Sequence, residues 1–191
     1  MPALHAATAV RVATAAKAAS AEWAASAEWA ASVLRAVSTT RSPQPSARHR
    51  ARVYALQGLY QWMLNADDAR AIGEYLRQHP EYSKADEGHF LALLKGCMRE
   101  ATQLRARIEP CLDRRVVDLS PVEHAILLIG AYEYLYHPEI PYRVVINEAV
   151  ELAKAFGGTD GYKFVNGVLD KLAAHLRSIE HQQQGNTGQL L

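Results

Sequence analysis

The sequence predicts an all-α fold, with two packed three-helix-type bundles forming one compact helical domain. Three observations lead there. From Ser46 onward no run alternates apolar and polar residues for long, apolar residues instead recur three or four apart, and glycine and proline fall between these periodic segments. Six helical segments result, and a charged loop at Asp113-Arg114-Arg115 divides them three and three.

The first segment, over about 47–65, places Val53, Leu56, Leu59, Tyr60, Met63 and Leu64 at helical spacing. Asp67 or Asp68 can cap a second helix that runs to about Gln78 and stops before Pro80. A third is expected from about Lys84, with Phe90, Leu93, Leu94, Cys97, Met98, Ala101, Leu104 and Ile108 along one stripe and Pro110 ending or kinking it. The fourth has the sharpest start. In Ser120-Pro121-Val122-Glu123, serine caps, proline takes the first helical position and glutamate reaches back as in a capping box. The run from Ala125 to Tyr132 that follows is apolar on every side, which describes a central helix enclosed by its neighbours. Pro141 opens the fifth helix, striped by Val145, Ile146, Ala149, Val150, Ala153 and Phe156 and stopped by Gly157-Gly158. Asp160 can cap the sixth, with Val165, Val168, Leu169, Leu172 and Leu176 inward, and the Gln-rich residues 179–191 read as a flexible tail.

Residues 1–45 are of different material. Alanine dominates, with Ser, Thr and Val, and the unit Ser-Ala-Glu-Trp-Ala-Ala occurs twice in succession from Ser20. A six-residue period is too short for a solenoid unit, and an isolated Ala-rich helix is marginal in water. Arginine and serine with few acids also fit an organelle transit peptide. The reading adopted is a disordered extension, joined through the linker Ser42-Pro43-Gln44-Pro45-Ser46 to a helical domain over 46–178.

The net charge is +1, which excludes a uniformly basic nucleic-acid binder but not a local basic patch. Removing the extension's four basic and two acidic residues leaves 17 and 18, a net of −1, so any nucleic-acid role must rest on clustering. Cys97 and Cys111 match neither a zinc knuckle nor a redox pair and read as free thiols in a reducing cytoplasm. No apolar stretch is long enough to span a membrane.

The motifs of enzymes are missing: there is no Gly-rich loop between strand and helix, no Gly-x-Ser-x-Gly and no His-Glu-x-x-His. The histidines are scattered without metal-ligand spacing, so neither a metal nor a cofactor is implied. Glu133, inside the apolar fourth helix, has two readings: a general acid with a shifted pKa, or a structural carboxylate satisfied by a Tyr or Asn of another helix, and the second is preferred.

Two clusters carry nucleic-acid chemistry. Arg48-His49-Arg50-Ala51-Arg52 opens the first helix, where the macrodipole is already positive, so a nearby anion would relieve a local cost. Guanidinium groups bind phosphate in bidentate fashion and stack on unpaired bases, although a solvated basic helix end is a common feature. At the sixth helix, Lys163 and Phe164 pair a phosphate-seeking charge with an aromatic face, as single-strand binders do. The alternative, Phe164 in the core and Lys163 merely solvated, stands beside it.

Longer motifs connect these clusters. The segments Arg50-Ala-Arg52…Ala55-Leu-Gln57-Gly-Leu-Tyr60-Gln-Trp62 and Ser120-Pro-Val-Glu123-His-Ala-Ile-Leu…Gly130-Ala-Tyr-Glu133 resemble the NusB family of bacterial antitermination factors. More specific are Pro141-Tyr-Arg-Val-Val-Ile-Asn147-Glu148-Ala-Val-Glu-Leu-Ala-Lys154-Ala-Phe156-Gly157 and Lys163-Phe164-Val165-Asn166-Gly167-Val168-Leu169-Asp170-Lys171-Leu172. The resemblance covers about 46–177 and leaves 1–45 out.

It implies a non-enzymatic, all-helical, cytoplasmic protein that binds the boxA element of nascent ribosomal RNA leader transcripts. The family does so with NusE, a ribosomal small-subunit protein, in a complex that joins RNA polymerase with other Nus factors and suppresses premature termination. Carried over by position, Arg48, His49, Arg50 and Arg52 fall in the family's RNA-binding opening, Lys163 and Phe164 in its second RNA-contacting segment with Asp160 beside it, and Tyr60 and Glu123 at positions facing NusE. His49 interrupts the basic run, Val53 replaces a usual acidic residue, and Leu128 stands where arginine is frequent. NusB-like domains also precede the catalytic domain of an rRNA cytosine methyltransferase. That reading needs a further domain with a Gly-rich loop and a catalytic Cys, and is set aside because the chain ends soon after the sixth helix.

Overall fold

The computed structural model describes residues 45–178; nearly all of the expected extension, with its repeat, and the expected tail lie outside the described residues. Among these described residues seven α-helices stand in place of six segments: α1 Ala47–Asn65, α2 Ala69–Leu76, α3 Glu87–Arg99, α4 Ala101–Ile108, α5 Pro121–Tyr136, α6 Tyr142–Phe156 and α7 Gly161–Leu176. Single 3-10 turns lie at Tyr82–Lys84, Glu109–Cys111 and Val116–Asp118, and no strand occurs among the described residues.

The helix starts follow local chemistry. The Ser46 and Asp86 side chains accept from the amides of His49 and His89, and Asp68 accepts from those of Arg70 and Ala71. Ser120 and Glu123 form the expected reciprocal capping box, with Pro121 at the first helical position. Asp160 holds the cap position of α7 but makes no side-chain cap bond; its carboxylate binds Lys163 instead.

The long third segment departs from expectation. It breaks at Glu100, whose backbone (φ −94°, ψ 9°) is not helical. No Gly or Pro marks the break, which accompanies a change of packing partners: both pieces lie on α5, but α3 also packs on α1 whereas α4 reaches α7. Leu64, expected on the inner stripe of α1, is 57% exposed near the helix end.

Helix α5 is the centre. Every residue from Ala125 to Tyr134 is buried, with α1, α3 and α4 against it on one side of the chain order and α6 and α7 on the other. Helices α1–α3 and α5–α7 thus form the two three-helix groupings, and α4 bridges them. Helix α1 runs antiparallel to α5: Arg52 reaches Glu133 near the end of α5, while Trp62 lies under Arg105, which donates to His124 near its start. Burial, reinforced by Arg105, pushes the His124 imidazole down to about 4, so the neutral ring nitrogen accepts that bond. Helix α7 runs parallel to α5. Gly130 lies against Leu169, where a Cβ would come within 2.8 Å of its Cδ2.

Arg177, just beyond α7, closes the far end of α5. Its guanidinium donates to the carbonyls of Tyr134 at 2.9 Å, His137 at 3.0 Å, Pro138 at 3.2 Å and Glu133 at 3.4 Å. These include the acceptors a helix C-terminus leaves open, and the cation also opposes the negative end of the dipole. Arg177→Ala is expected to lower unfolding free energy by about 2 kcal/mol, seen as a lower urea midpoint. Arg177→Lys should recover only part of it, because an ammonium group cannot reproduce the fork.

A candidate nucleic-acid interface and a buried charge network

The basic run at the start of α1 meets anions from its own chain. Arg48 is exposed, its Nε 3.7 Å from Asp86 Oδ2. His49 Nδ1 lies 2.8 Å from Glu148 Oε2, and Arg50, largely buried, reaches Glu81 Oε2 at 3.5 Å. Arg52 is interior, its side chain 3% exposed. It donates to Glu133 through Nε at 3.0 and 3.2 Å and lies 2.9 Å from it through a terminal nitrogen, while another terminal nitrogen lies 3.4 Å from Glu148 Oε2. His89 Nε2 completes the set at 2.9 Å from Glu133 Oε1.

The anion that helix electrostatics asks for at this position is therefore largely internal. Placement among the RNA-contacting arginines does not suit Arg52, because a buried guanidinium already shared by two carboxylates has no surface to offer a phosphate. Glu133 is the structural carboxylate preferred above, but its partners are Arg52 and His89 rather than Tyr or Asn. Burial pushes the Glu148 carboxyl up, yet His49 and Arg52 outweigh it and hold that group below the ordinary carboxylate range.

The start of α7 is a different surface. Asp160 and Lys163 are exposed and paired at 2.8 Å. Phe164 is half-buried, and the guanidinium carbon of Arg114 lies 4.4 Å from its ring centroid. The Tyr162 ring has the ammonium groups of Lys154 and Lys163 at 5.8 and 5.9 Å. Sequence reasoning passed over Arg114, Tyr162 and Lys154. Tyr162 could have been noticed as an aromatic beside Lys163, but nothing local connects Arg114 with a ring fifty residues later.

Glu123 borders this surface. Its Oε2 accepts from Ser120 Oγ at 2.9 Å and from the Ser120 amide at 3.3 Å. Its Oε1 faces Gly161, where a Cβ would come within 3.0 Å. Tyr60, half-buried in the last turns of α1, is carried to the same end of α5 by the antiparallel packing.

Two groups of candidate residues result. Asp160, Lys163, Phe164, Glu123 and Tyr60 lie toward the start of α5; Arg48, His49, Arg50 and Arg52 lie toward its end. The first and last helices are not the neighbours a single contiguous cluster requires, since α1 packs mainly on α2, α3 and α5 while α7 packs mainly on α5 and α6. Glu123 and Glu133 mark the two levels, about 15 Å apart at about 1.5 Å per residue.

The NusB family model matches residues 49–174, from within the basic run to the last turn of α7. The chain belongs to the NusB family. The transcription antitermination protein NusB of Cupriavidus pinatubonensis (strain JMP 134 / LMG 1197) is 59% identical over 140 residues, covering 73% of this chain and 84% of that protein. That of Bordetella pertussis (strain Tohama I / ATCC BAA-589 / NCTC 13251) is 56% identical over 146 residues, covering 74% and 95%. A solved structure of T. maritima NusB superposes with a TM-score of 0.59 at 26% identity, over 70% of this chain and 92% of that one. NusB proteins are transcription antitermination factors, and this chain is not an enzyme. Among the described residues no helix is long and apolar enough to cross a membrane, and no His, Cys, Asp and Glu group has the arrangement of a metal site.

Proposed function

We propose that this chain binds the boxA element of nascent ribosomal RNA leader transcripts together with NusE, and that it acts in the cytoplasm within an RNA polymerase antitermination complex that includes other Nus factors. Membership of a family of antitermination proteins carries this reading. The start of α7 supports it: an exposed lysine, a partly exposed phenylalanine and a tyrosine between two lysines combine phosphate attraction with stacking faces. Arg48, which is exposed, offers a phosphate contact at the other level. The two levels differ by about 15 Å along α5, the rise of about five stacked nucleotides at about 3.4 Å each, so a strand touching both must be longer than that by whatever separates α1 from α7 laterally. Tyr60 and Glu123 are the NusE-facing residues in this reading.

Fluorescence anisotropy with labelled boxA RNA, in the presence and absence of NusE, tests it. Tighter binding with NusE and loss of affinity for a base-substituted boxA are expected; equal affinity for both RNAs would reject sequence-specific boxA recognition. A charge prediction arises at the same surface. Asp160 neutralises Lys163 and repels phosphate, so Asp160→Asn is expected to tighten RNA binding by about fivefold, equivalent to about 1 kcal/mol. Lys163→Ala in the Asp160→Asn background should abolish most of that gain.

A further inference from the structure

Arg114 belongs to the loop between α4 and α5 and is far in sequence from every residue considered above for RNA contact. Its side chain is 45% exposed, and its guanidinium carbon stands 4.4 Å from the Phe164 centroid. At that separation the guanidinium covers the ring and leaves no room for a base between them. The adjacent Arg115 is committed elsewhere, donating to both oxygens of Asp118 at 2.9 and 3.0 Å. Arg114 donates to its exposed neighbour Asp113 at 2.8 and 3.4 Å, and the carboxylates of Glu123 and Asp118 act on it only through space.

An exposed guanidinium–ring contact is weaker than a base–aromatic stack. The two compete for one surface, and an arginine displaced by a base remains beside that base's own phosphates. We propose that Arg114 occupies the face of Phe164 that an unpaired nucleobase takes, so that RNA binding exchanges guanidinium for base and transfers Arg114 to the flanking phosphate. Arg114 is then an RNA-binding residue with two opposed effects. It competes for the stacking face, and it adds one phosphate contact. This rests on the RNA-binding reading above and specifies how its aromatic element works.

The opposed effects have different salt dependence, which makes them separable. Affinity for labelled boxA RNA is measured on the full chain with NusE over a salt series, for wild type, Arg114→Ala, Phe164→Ala and the double variant. Arg114→Ala is expected to reduce the slope of log affinity against log salt by about 0.7, the share of one phosphate on a single strand. Its line should cross that of wild type: weaker at low salt, and tighter at high salt, where the lost phosphate contact matters least and the ring is open. In the Phe164→Ala background the slope change should persist and the high-salt gain should vanish. An Arg114→Ala line parallel to wild type overturns the exchange and leaves RNA binding by Phe164 standing. Wild type and Phe164→Ala binding alike at every salt concentration overturns the stacking role of α7 itself, and the exchange with it.

Discussion

Glu133→Ala is expected to lower the unfolding free energy by about 3–5 kcal/mol, because it strips a buried guanidinium of its main partner. The side chains of Arg52 and Glu133 are 3% and 1% exposed and belong to helices that pack antiparallel. Removing either leaves a charge that can reach neither water nor a full substitute. Arg52 would retain only its 3.4 Å contact with Glu148, and His89 would lose the acceptor at 2.9 Å. Arg52→Met combined with Glu133→Leu should lose less than the sum of the single changes, since two apolar side chains bury no unpaired charge. Urea unfolding of the four proteins measures the coupling. Strict additivity would show that the pair contributes as two independent residues.

The same network gives a direction with pH. Glu148 is held below its unfolded value, so its contribution is fully present above the ordinary carboxylate pKa and is lost as pH falls through the lowered one. Wild type should therefore lose stability on acidification more steeply than Arg52→Ala, in which one of the groups lowering Glu148 is gone. Equal acid-side slopes in urea midpoint against pH would remove Arg52 from the linkage.

Glu123→Ala is expected to weaken NusE binding by about 2–5 kcal/mol if the carboxylate pairs with a basic partner group out of water, while lowering the chain's own stability by about 1 kcal/mol. The small second figure follows from the site. The carboxylate is one half of a capping box with Ser120, and Ser120 itself is exposed. The helix end can replace that half with water. A desolvated partner cation cannot do the same, so the two losses differ. Glu123→Gln should retain much of the cap and little of the partner affinity, which separates charge from capping. Titration calorimetry against NusE, with urea unfolding of the same variants, gives both numbers. Unchanged NusE affinity in Glu123→Ala would exclude Glu123 from the interface.

Much of the helical layout was legible in the sequence because its signals are short-range. Asp68 and Ser120 cap helices through amides two or three residues away, and Pro121 and Gly157 stand at helix ends. The all-round apolar run of α5 marked the central helix. The candidate residues were legible as chemical types: a guanidinium cluster, a lysine beside a phenylalanine, a carboxylate in a capping box. Their assignments depended on partners that no local pattern contains. The break at Glu100 has no Gly or Pro and accompanies a change of tertiary partner, α3 packing on α1 and α4 reaching α7 while both lie on α5. Arg52 and Arg48 are alike in sequence, but one faces a carboxylate 81 residues away in the core and the other, itself exposed, a half-buried cap residue.

Sequence by itself determined most helix starts, which helix is central, and which side chains have the chemistry to meet phosphate or a base. Tertiary structure decided which of those side chains remain available, and at which level of α5 they stand. Helix signals act over a few residues, whereas the pairings Arg52–Glu133, His49–Glu148 and Arg114–Phe164 arise only when packing brings separate helices and loops together.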